Sequence, residues 1–258
     1  MAKTYQLKSA HALVTGGGRG IGAAIAKALD EAGAKVSVLG RNEAKLNEVR
    51  DSLGHKGMAA TCDVTDGSQV KSTIAAIEEE AGPIDILVNN AGAAASAPFA
   101  AMSDDVWDHM LAVNLTSVFS LTQAVMKGLQ KRGAGRIINI ASTAGLKGYP
   151  YVTAYTAAKH GVVGLTRALA LELAQTDITV NAICPGYTDT ELLAGAAENI
   201  SAKTGQSTQD IIKQFAASNP QNRLISPTEV ASAVVWLCSN EASGMTGQAI
   251  SISGGEVM

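Results

Sequence analysis

Thr15-Gly16-Gly17-Gly18-Arg19-Gly20-Ile21-Gly22 follows a short apolar run at 11–15 and precedes an Ala-rich stretch at 21–32. Glycines between a strand and a helix permit a tight turn and let backbone amides approach a pyrophosphate at the helix N-terminus. Glycine strings also make plain turns, so position decides the reading. This one joins a first strand to a first helix, with a second apolar run at 35–39 completing a unit of about 30 residues. A Gly-x-Gly-x-x-Ala count fits Gly18, Gly20 and Ala23. The stretch predicts a dinucleotide-binding βαβ unit.

The same alternation continues along the chain. Apolar, β-branched runs predict strands over 11–15, 35–39, 58–62, 85–89, 136–141, 178–183 and 249–252. Amphipathic Ala-rich stretches predict helices over 21–32, 43–53, 68–81, 103–131, 152–174, 208–218 and 228–239. Ile86-Leu87-Val88 and Ile137-Ile138-Asn139-Ile140 are apolar on both faces, as in a parallel sheet covered by helices. Asp104 and Asp105 fall in a first turn, and Pro227-Thr228-Glu229 starts the last helix. The expected fold is α/β: one domain over 1–258, a doubly wound (Rossmann) seven-stranded parallel sheet with helices on both faces. Residues 188–221, rich in Ala, Ser, Gly and Gln, read as a small lid or a surface excursion.

Composition narrows the class. A net charge of −3 gives no global attraction to nucleic acid or acidic membranes. Residues 1–8 lack an apolar signal core, and no apolar run is long enough to span a bilayer, so a cytoplasmic protein is expected. Cys62, Cys184 and Cys238 are scattered, and the odd count argues against a disulfide framework. His55, His109 and His160 have no partners at metal-ligand spacing, so no catalytic metal is expected.

Tyr155 and Lys159 stand four residues apart, with Ser142 thirteen upstream. On a helix, i and i+4 share a face, so the lysine lies beside the phenol. A free tyrosine titrates near ~10, and lowering it toward ~7 requires about 4 kcal/mol. One cation about 4 Å away, at an effective dielectric near 20, supplies roughly that amount. Tyr-x-x-x-Lys alone is common on solvated helices; the glycine loop upstream changes its meaning. After strand two comes Gly40-Arg41-Asn42, with no acid until Glu43. An Asp or Glu there would meet a free ribose 2′-hydroxyl, whereas Arg41, with Arg19 nearby, suits a 2′-phosphate. NADP(H) is therefore favoured; if Arg41 merely begins a solvated helix, the site takes NAD(H).

Together with Asp63-Val64, Asn89-Asn90-Ala91-Gly92, Asn114 and Pro185-Gly186, these motifs resemble the short-chain dehydrogenase/reductase family over residues 11–255. The resemblance implies that Gly16, Gly18, Arg19, Gly20, Ile21, Gly22, Arg41 and Asn42 hold the cofactor's phosphates. It implies that Asp63 and Val64 meet the adenine, that Asn90, Ala91 and Gly92 lie against the adenosine ribose, and that Tyr155 and Lys159 also touch the cofactor. Pro185, Gly186, Thr188 and Thr190 would flank the nicotinamide. Asn114, Ser142, Tyr155 and Lys159 would be catalytic, with Asn114 distorting its helix to hold a water beside Lys159.

Within the family, 135–145 and 160–164 look like β-ketoacyl reductases and polyketide ketoreductases, which implies a 3-ketoacyl thioester or similar mid-sized ketone. Relatives that use acyl carrier protein often carry an arginine after the helix bearing the lysine; here Leu173-Ala174-Gln175-Thr176-Asp177 has no base. A CoA thioester and a free ketone stay equally open. Ala94, Thr143, Leu146, Tyr149, Tyr151, Tyr187, Leu192, Leu193 and Phe215 would line the pocket. The resemblance further implies a homo-oligomer: a dimer through the helices 103–131 and 152–174, completed to a tetramer by the C-terminal strand. Two alternatives stand beside this reading: an NAD-dependent secondary alcohol or hydroxyacyl dehydrogenase, and a non-catalytic dinucleotide sensor.

Overall fold

All five residues of His11–Thr15 are buried, and they form β1, an interior strand of the sheet. The computed structural model describes residues 7–258; residues 1–6, and with them most of the stretch read for a signal core, lie outside the described residues. In chain order the elements are β1, α1 (Gly20–Glu31), β2 (Lys35–Gly40), α2 (Glu43–Ser52), β3 (Lys56–Thr61), α3 (Gly67–Ala81) and β4 (Ile86–Asn89). The second half adds α4 (Asp104–Leu111), α5 (Ser117–Arg132), β5 (Ala134–Ile140), α6 (Thr153–Glu172), β6 (Asp177–Pro185), α7 (Glu191–Thr204), α8 (Thr208–Ala217), α9 (Pro227–Cys238) and β7 (Ala249–Ile252).

The strand order is β3-β2-β1-β4-β5-β6-β7, every pair parallel. Strand side chains alternate between faces, and the core divides accordingly. Ala12, Val14, Val36, Val88 and Ile138 meet Ile25 and Leu29 of α1 and Val230 and Val234 of α9. Leu13, Leu39, Leu87 and Ile137 meet Ile74 and Ile77 of α3 and Leu121 and Val125 of α5. The chain winds in opposite directions on either side of the β1–β4 boundary. At such a switch point, crossovers diverge and leave a crevice outside the strands' carboxyl ends.

Two expectations are adjusted, and a third is met. The helix expected over 103–131 carries a π-helical segment, Ala112–Thr116, centred on Asn114, where the family resemblance implied a distortion. Strand three begins two residues early, and its register shifts between Val36 and Val38; there the Ser37 hydroxyl accepts the Met58 amide at 2.9 Å. Residues 188–221 are two helices, of which only α8 was expected. Thr190 and Ser207 cap their starts by accepting from the Leu193 and Asp210 amides. The expected start of α9 carries a full capping box between Ser226 and Glu229, with Pro227 in the first turn. No helix among the described residues is long and apolar enough to cross a membrane.

Candidate active site

Thr15, the last residue of β1, ties the switch point together. Its Oγ1 accepts the Asn90 and Ala91 amides, both at 3.0 Å, and donates to the Val88 carbonyl. Asn90 returns the contact, its Nδ2 donating to the Thr15 carbonyl at 2.9 Å and the Gly16 carbonyl at 3.3 Å. The glycine loop is thus laced to the end of β4, and the Asn90 amide nitrogen is spent on that lacing. A Cβ at Gly22 would overlap the Gly16 carbonyl, so only glycine lets α1 begin this close under the turn. Ile21 packs against the core below.

The residues on the adenosine side fit a dinucleotide. The glycine turn opens directly into α1, whose first N–H groups have no helical partner. Arg41 is exposed just past β2. Asp63 accepts from the Thr65 amide and hydroxyl through Oδ1. Those hydrogen bonds, then the Arg41 charge, hold its carboxyl below the ordinary carboxylate range. Val64 is buried behind it. Two expected phosphate contacts have other partners. Asn42 Oδ1 caps α2 by accepting the Lys45 amide at 3.1 Å, and Arg19 pairs with Glu191 of α7 at 3.1 Å.

On the reaction side, Ser142 follows β5, and Tyr155 and Lys159 share one face of α6. Lys159 is 4% exposed and donates to the Ile140 carbonyl at 2.8 Å. Burial pulls its ammonium down to about 8. For Tyr155, burial pushes the phenol above its ordinary value, and the Ser142 hydrogen bond works against that rise. In the chain alone, burial outweighs the lowering expected from Lys159. The ammonium stands 5.7 Å from the ring centroid.

Asn114 is fully buried in the π segment. Its Nδ2 donates to the Ala93 carbonyl at 2.9 Å and the Met110 carbonyl at 3.0 Å, and its Oδ1 accepts the Ala93 amide at 3.3 Å. Gly92 stands between it and the lysine: a Cβ there would lie 2.8 Å from Asn114 Oδ1 and 3.8 Å from Lys159 Nζ. Beyond Pro185, Gly186 accepts from the Thr188 hydroxyl, and Thr190 Oγ1 donates to the Thr188 carbonyl while capping α7. Thr190 also lies against Gly20, which joins α7 to the glycine loop. His160 turns its Nδ1 to the Thr156 carbonyl, away from the Tyr155–Lys159 face. Burial pushes the Cys184 thiol up to about 11, which leaves it a packing residue. Among the described residues no three His, Cys, Asp or Glu side chains converge to hold a metal ion.

Tyr187 stacks on Phe215 of α8 with centroids 4.5 Å apart and meets Tyr149 edge-on at 6.4 Å. Of the other expected pocket residues, Tyr151 and Leu192 are exposed. Sequence reasoning passed over two sets of residues. Asn89 and Asn139 oppose one another on β4 and β5. Asn89 Nδ2 donates to Asn139 Oδ1 and Thr122, and Asn139 Nδ2 donates to Thr166, fixing α5 and α6 to the sheet below Ser142. Their signal was a polar residue within otherwise apolar strands. The other is Glu256, a nearly buried carboxylate beside Tyr149, for which the sequence carried no signal.

The short chain dehydrogenase family model matches residues 10–201. The chain is 44% identical over 248 residues to an acetoacetyl-CoA reductase of Rhizobium meliloti (strain 1021), covering 95% of this chain and 97% of that one. It is 39% identical over 247 residues to a 3-oxoacyl-(acyl-carrier-protein) reductase of Vibrio harveyi, covering 96% and 97%. A crystal structure of a variant actinorhodin polyketide ketoreductase with NADPH superposes with a TM-score of 0.92 at 42% identity, covering 96% and 97% of the two chains. With the glycine loop, the Ser-Tyr-Lys set and the parallel sheet in place, the chain belongs to the short chain dehydrogenase family.

Proposed function

We propose that this protein is an oxidoreductase that reduces a 3-ketoacyl thioester or similar mid-sized ketone with NADP(H). The observation that carries the reading is the convergence of Ser142, Tyr155 and a buried Lys159 on one side of the crevice, opposite the glycine loop. NADPH, when bound, supplies the hydride. Gly18, Gly20, Ile21 and Gly22 would offer backbone amides to its pyrophosphate, while Gly16, whose amide donates to the Leu39 carbonyl at 2.7 Å, shapes the turn; Asp63 and Val64 would meet its adenine, and Ala91 and Gly92 its adenosine ribose. Arg41, exposed where an acid would favour NAD, selects the 2′-phosphate.

Ser142 and Tyr155 donate hydrogen bonds to the substrate carbonyl oxygen, where charge develops. Tyr155 then delivers its proton as general acid. Because burial holds the phenol protonated, it is in the right state to give a proton in the reductive direction. Lys159 places a positive charge behind the phenol, stabilising the phenolate left after transfer, and holds the nicotinamide ribose. Asn114, with a water, returns the proton. Thr188 and Thr190 orient the carboxamide side. The absence of a base over 173–177 favours a CoA thioester or a free ketone over a carrier-protein conjugate.

The finer setting is part of the same reading: one domain whose α7–α8 hairpin is the lid, working in the cytoplasm as a homo-oligomer. Leu171 of α6 is 79% exposed and Phe119 of α5 is 50% exposed, which supports dimerisation through those helices, with the C-terminal strand completing a tetramer. Absorbance at 340 nm, followed with NADPH and NADH against β-ketoesters, acyl-CoA thioesters and cyclic ketones, tests the activity. Turnover of ketones with NADPH is expected. Tyr155→Phe should leave NADPH affinity within about twofold while lowering kcat by 10²-fold or more, on the order of one acid–base group. Retained turnover would remove Tyr155 from its role.

A further inference from the structure

The segment after β7 returns a carboxylate to the pocket. Gly254 and Gly255 take φ of +61° and +94°, and a Cβ at Gly254 would overlap the Asn219 side chain. The Glu256 amide donates to the Ser253 carbonyl, and the Val257 amide to Ser253 Oγ. This glycine turn, wedged against the end of α8, sends Glu256 inward until its side chain is 3% exposed. Glu256 Oε1 lies 2.5 Å from the Tyr149 hydroxyl and 3.2 Å from Lys147 Nζ. Oε2 lies beside Gly186, 3.0 Å from where a Cβ would stand. The carboxylate therefore sits between the Gly186–Tyr187 turn and the Ser142–Tyr149 loop, both already placed at the reacting end of the crevice.

A buried charge is tolerated when it is paired. Stability alone is a weak reason to keep such a pair, since an apolar replacement is often neutral. The chemistry at Tyr149 supplies a better one. A phenol has one proton, and an ionised carboxylate can only accept. At 2.5 Å the contact falls in the range of charge-assisted O–H···O⁻ bonds, so the Tyr149 hydroxyl keeps its proton and donates it as a hydrogen bond to Glu256. The Thr143 hydroxyl, 2.7 Å away, then donates to Tyr149. Tyr149 is left with nothing to offer a substrate oxygen, although it stands next to the residue that follows Ser142.

Resting on the reading of Ser142 and Tyr155 as the carbonyl's donors, we infer that Glu256 is a positioning residue. By occupying the Tyr149 proton, it denies the substrate carbonyl a second phenol donor and so fixes which face of the ketone is reduced. Without Glu256, Tyr149 competes for the carbonyl, and the ketone binds in a second, unproductive or mirror-related pose. Lys147, half-exposed, neutralises the carboxylate and lies 4.8 Å from the Tyr149 ring centroid, holding the ring in place.

The test uses the full-length protein, NADPH and a prochiral β-ketoester. It measures kcat, KM and enantiomer ratio by chiral chromatography, and NADPH affinity by fluorescence. Glu256→Leu should erode the enantiomer ratio about tenfold, the scale of one hydrogen bond to a charged group, with NADPH affinity within twofold. Glu256→Gln, which keeps an acceptor oxygen, should restore most of the selectivity. Tyr149→Phe removes the competing phenol, so its enantiomer ratio should stay within about twofold of the wild-type ratio whatever happens to kcat and KM, and adding Glu256→Leu to it should change the ratio no further. An unchanged ratio in Glu256→Leu, or the same loss in the Tyr149→Phe background, overturns the inference. Should Glu256→Leu fail to fold, Tyr149→Phe decides through the ratio: an eroded enantiomer ratio there would mean that the phenol itself sets the reduced face and would end the proposal. Failure of the underlying reading looks different, because wild-type protein would then reduce no ketone or Tyr155→Phe would keep turning over.

Discussion

Lys159 carries its charge into the interior with the Ile140 carbonyl as its recorded hydrogen-bond acceptor. Its value of about 8 in the fold, against 10.5 unperturbed, has a defined sign. Between these values the unfolded chain binds more protons than the folded one, so stability rises with pH across that window. Below about 8 the penalty is fully present; above 10.5 it is gone. The full span corresponds to roughly 3 kcal/mol. Lys159→Met should remove this rise while abolishing turnover, as urea unfolding at pH 7 and pH 10 will show. A rise that persists in the variant would assign the pH dependence to another group. Ser142, Tyr155 and Lys159 were legible because helical spacing and motif order are local properties. The balance of forces on the phenol was not, since it depends on how deeply α6 lies against β5 and β6. Glu256 was illegible for the same reason: two glycines bend it into a pocket whose other walls lie more than sixty residues away in sequence.

At the scale of elements, the break at Asn114 has a tertiary cause. One extra residue in a helical turn barely alters apolar periodicity, so periodicity alone reads 103–131 as continuous and only the family resemblance pointed to a distortion at Asn114. The interruption is secured by the loop after β4, whose Ala93 exchanges hydrogen bonds with both ends of the Asn114 amide. Asn114→Leu would leave the partly buried Ala93 amide and carbonyl without their partner, at a cost of about 1 kcal/mol or more. If the π turn exists to hold Asn114 near Lys159, the variant loses kcat more than KM, and both readouts should move together. Stability loss with kcat intact would reduce Asn114 to a structural clasp. Helix α7 escaped notice because its apolar residues make no continuous stripe, and only Ala197 is fully buried. Its Thr190 cap and its Gly205 terminus in the left-handed region are visible afterwards, but each is common in loops as well. Central strands were easier, since burial on both faces leaves an unbroken apolar run.

For the whole molecule, the parallel sheet and its switch point set which ends of the elements meet. The charge pattern at that crevice then decides the cofactor. Arg41 is exposed at one rim, whereas Arg19 is paired with Glu191 across the gap between the glycine loop and α7. Both side chains of that pair are more than 60% exposed, so its contribution to stability is at most about 1 kcal/mol. In the proposed binding mode, a 2′-phosphate would compete with Glu191 for Arg19. Glu191→Gln should therefore leave stability within about 0.5 kcal/mol. The same change should tighten NADPH binding by about two- to fivefold, the equivalent of releasing one exposed ion pair. NADH, which lacks the phosphate, should bind as before. Arg41→Asp should act in the opposite sense, weakening NADPH by at least tenfold, the scale of a charge-assisted hydrogen bond reversed to repulsion. Fluorescence titrations of both cofactors with the three proteins at two salt concentrations separate these effects, because screening weakens each electrostatic difference. Equal responses of NADH and NADPH to either change would place the 2′-phosphate away from both arginines and return the choice of cofactor to NAD.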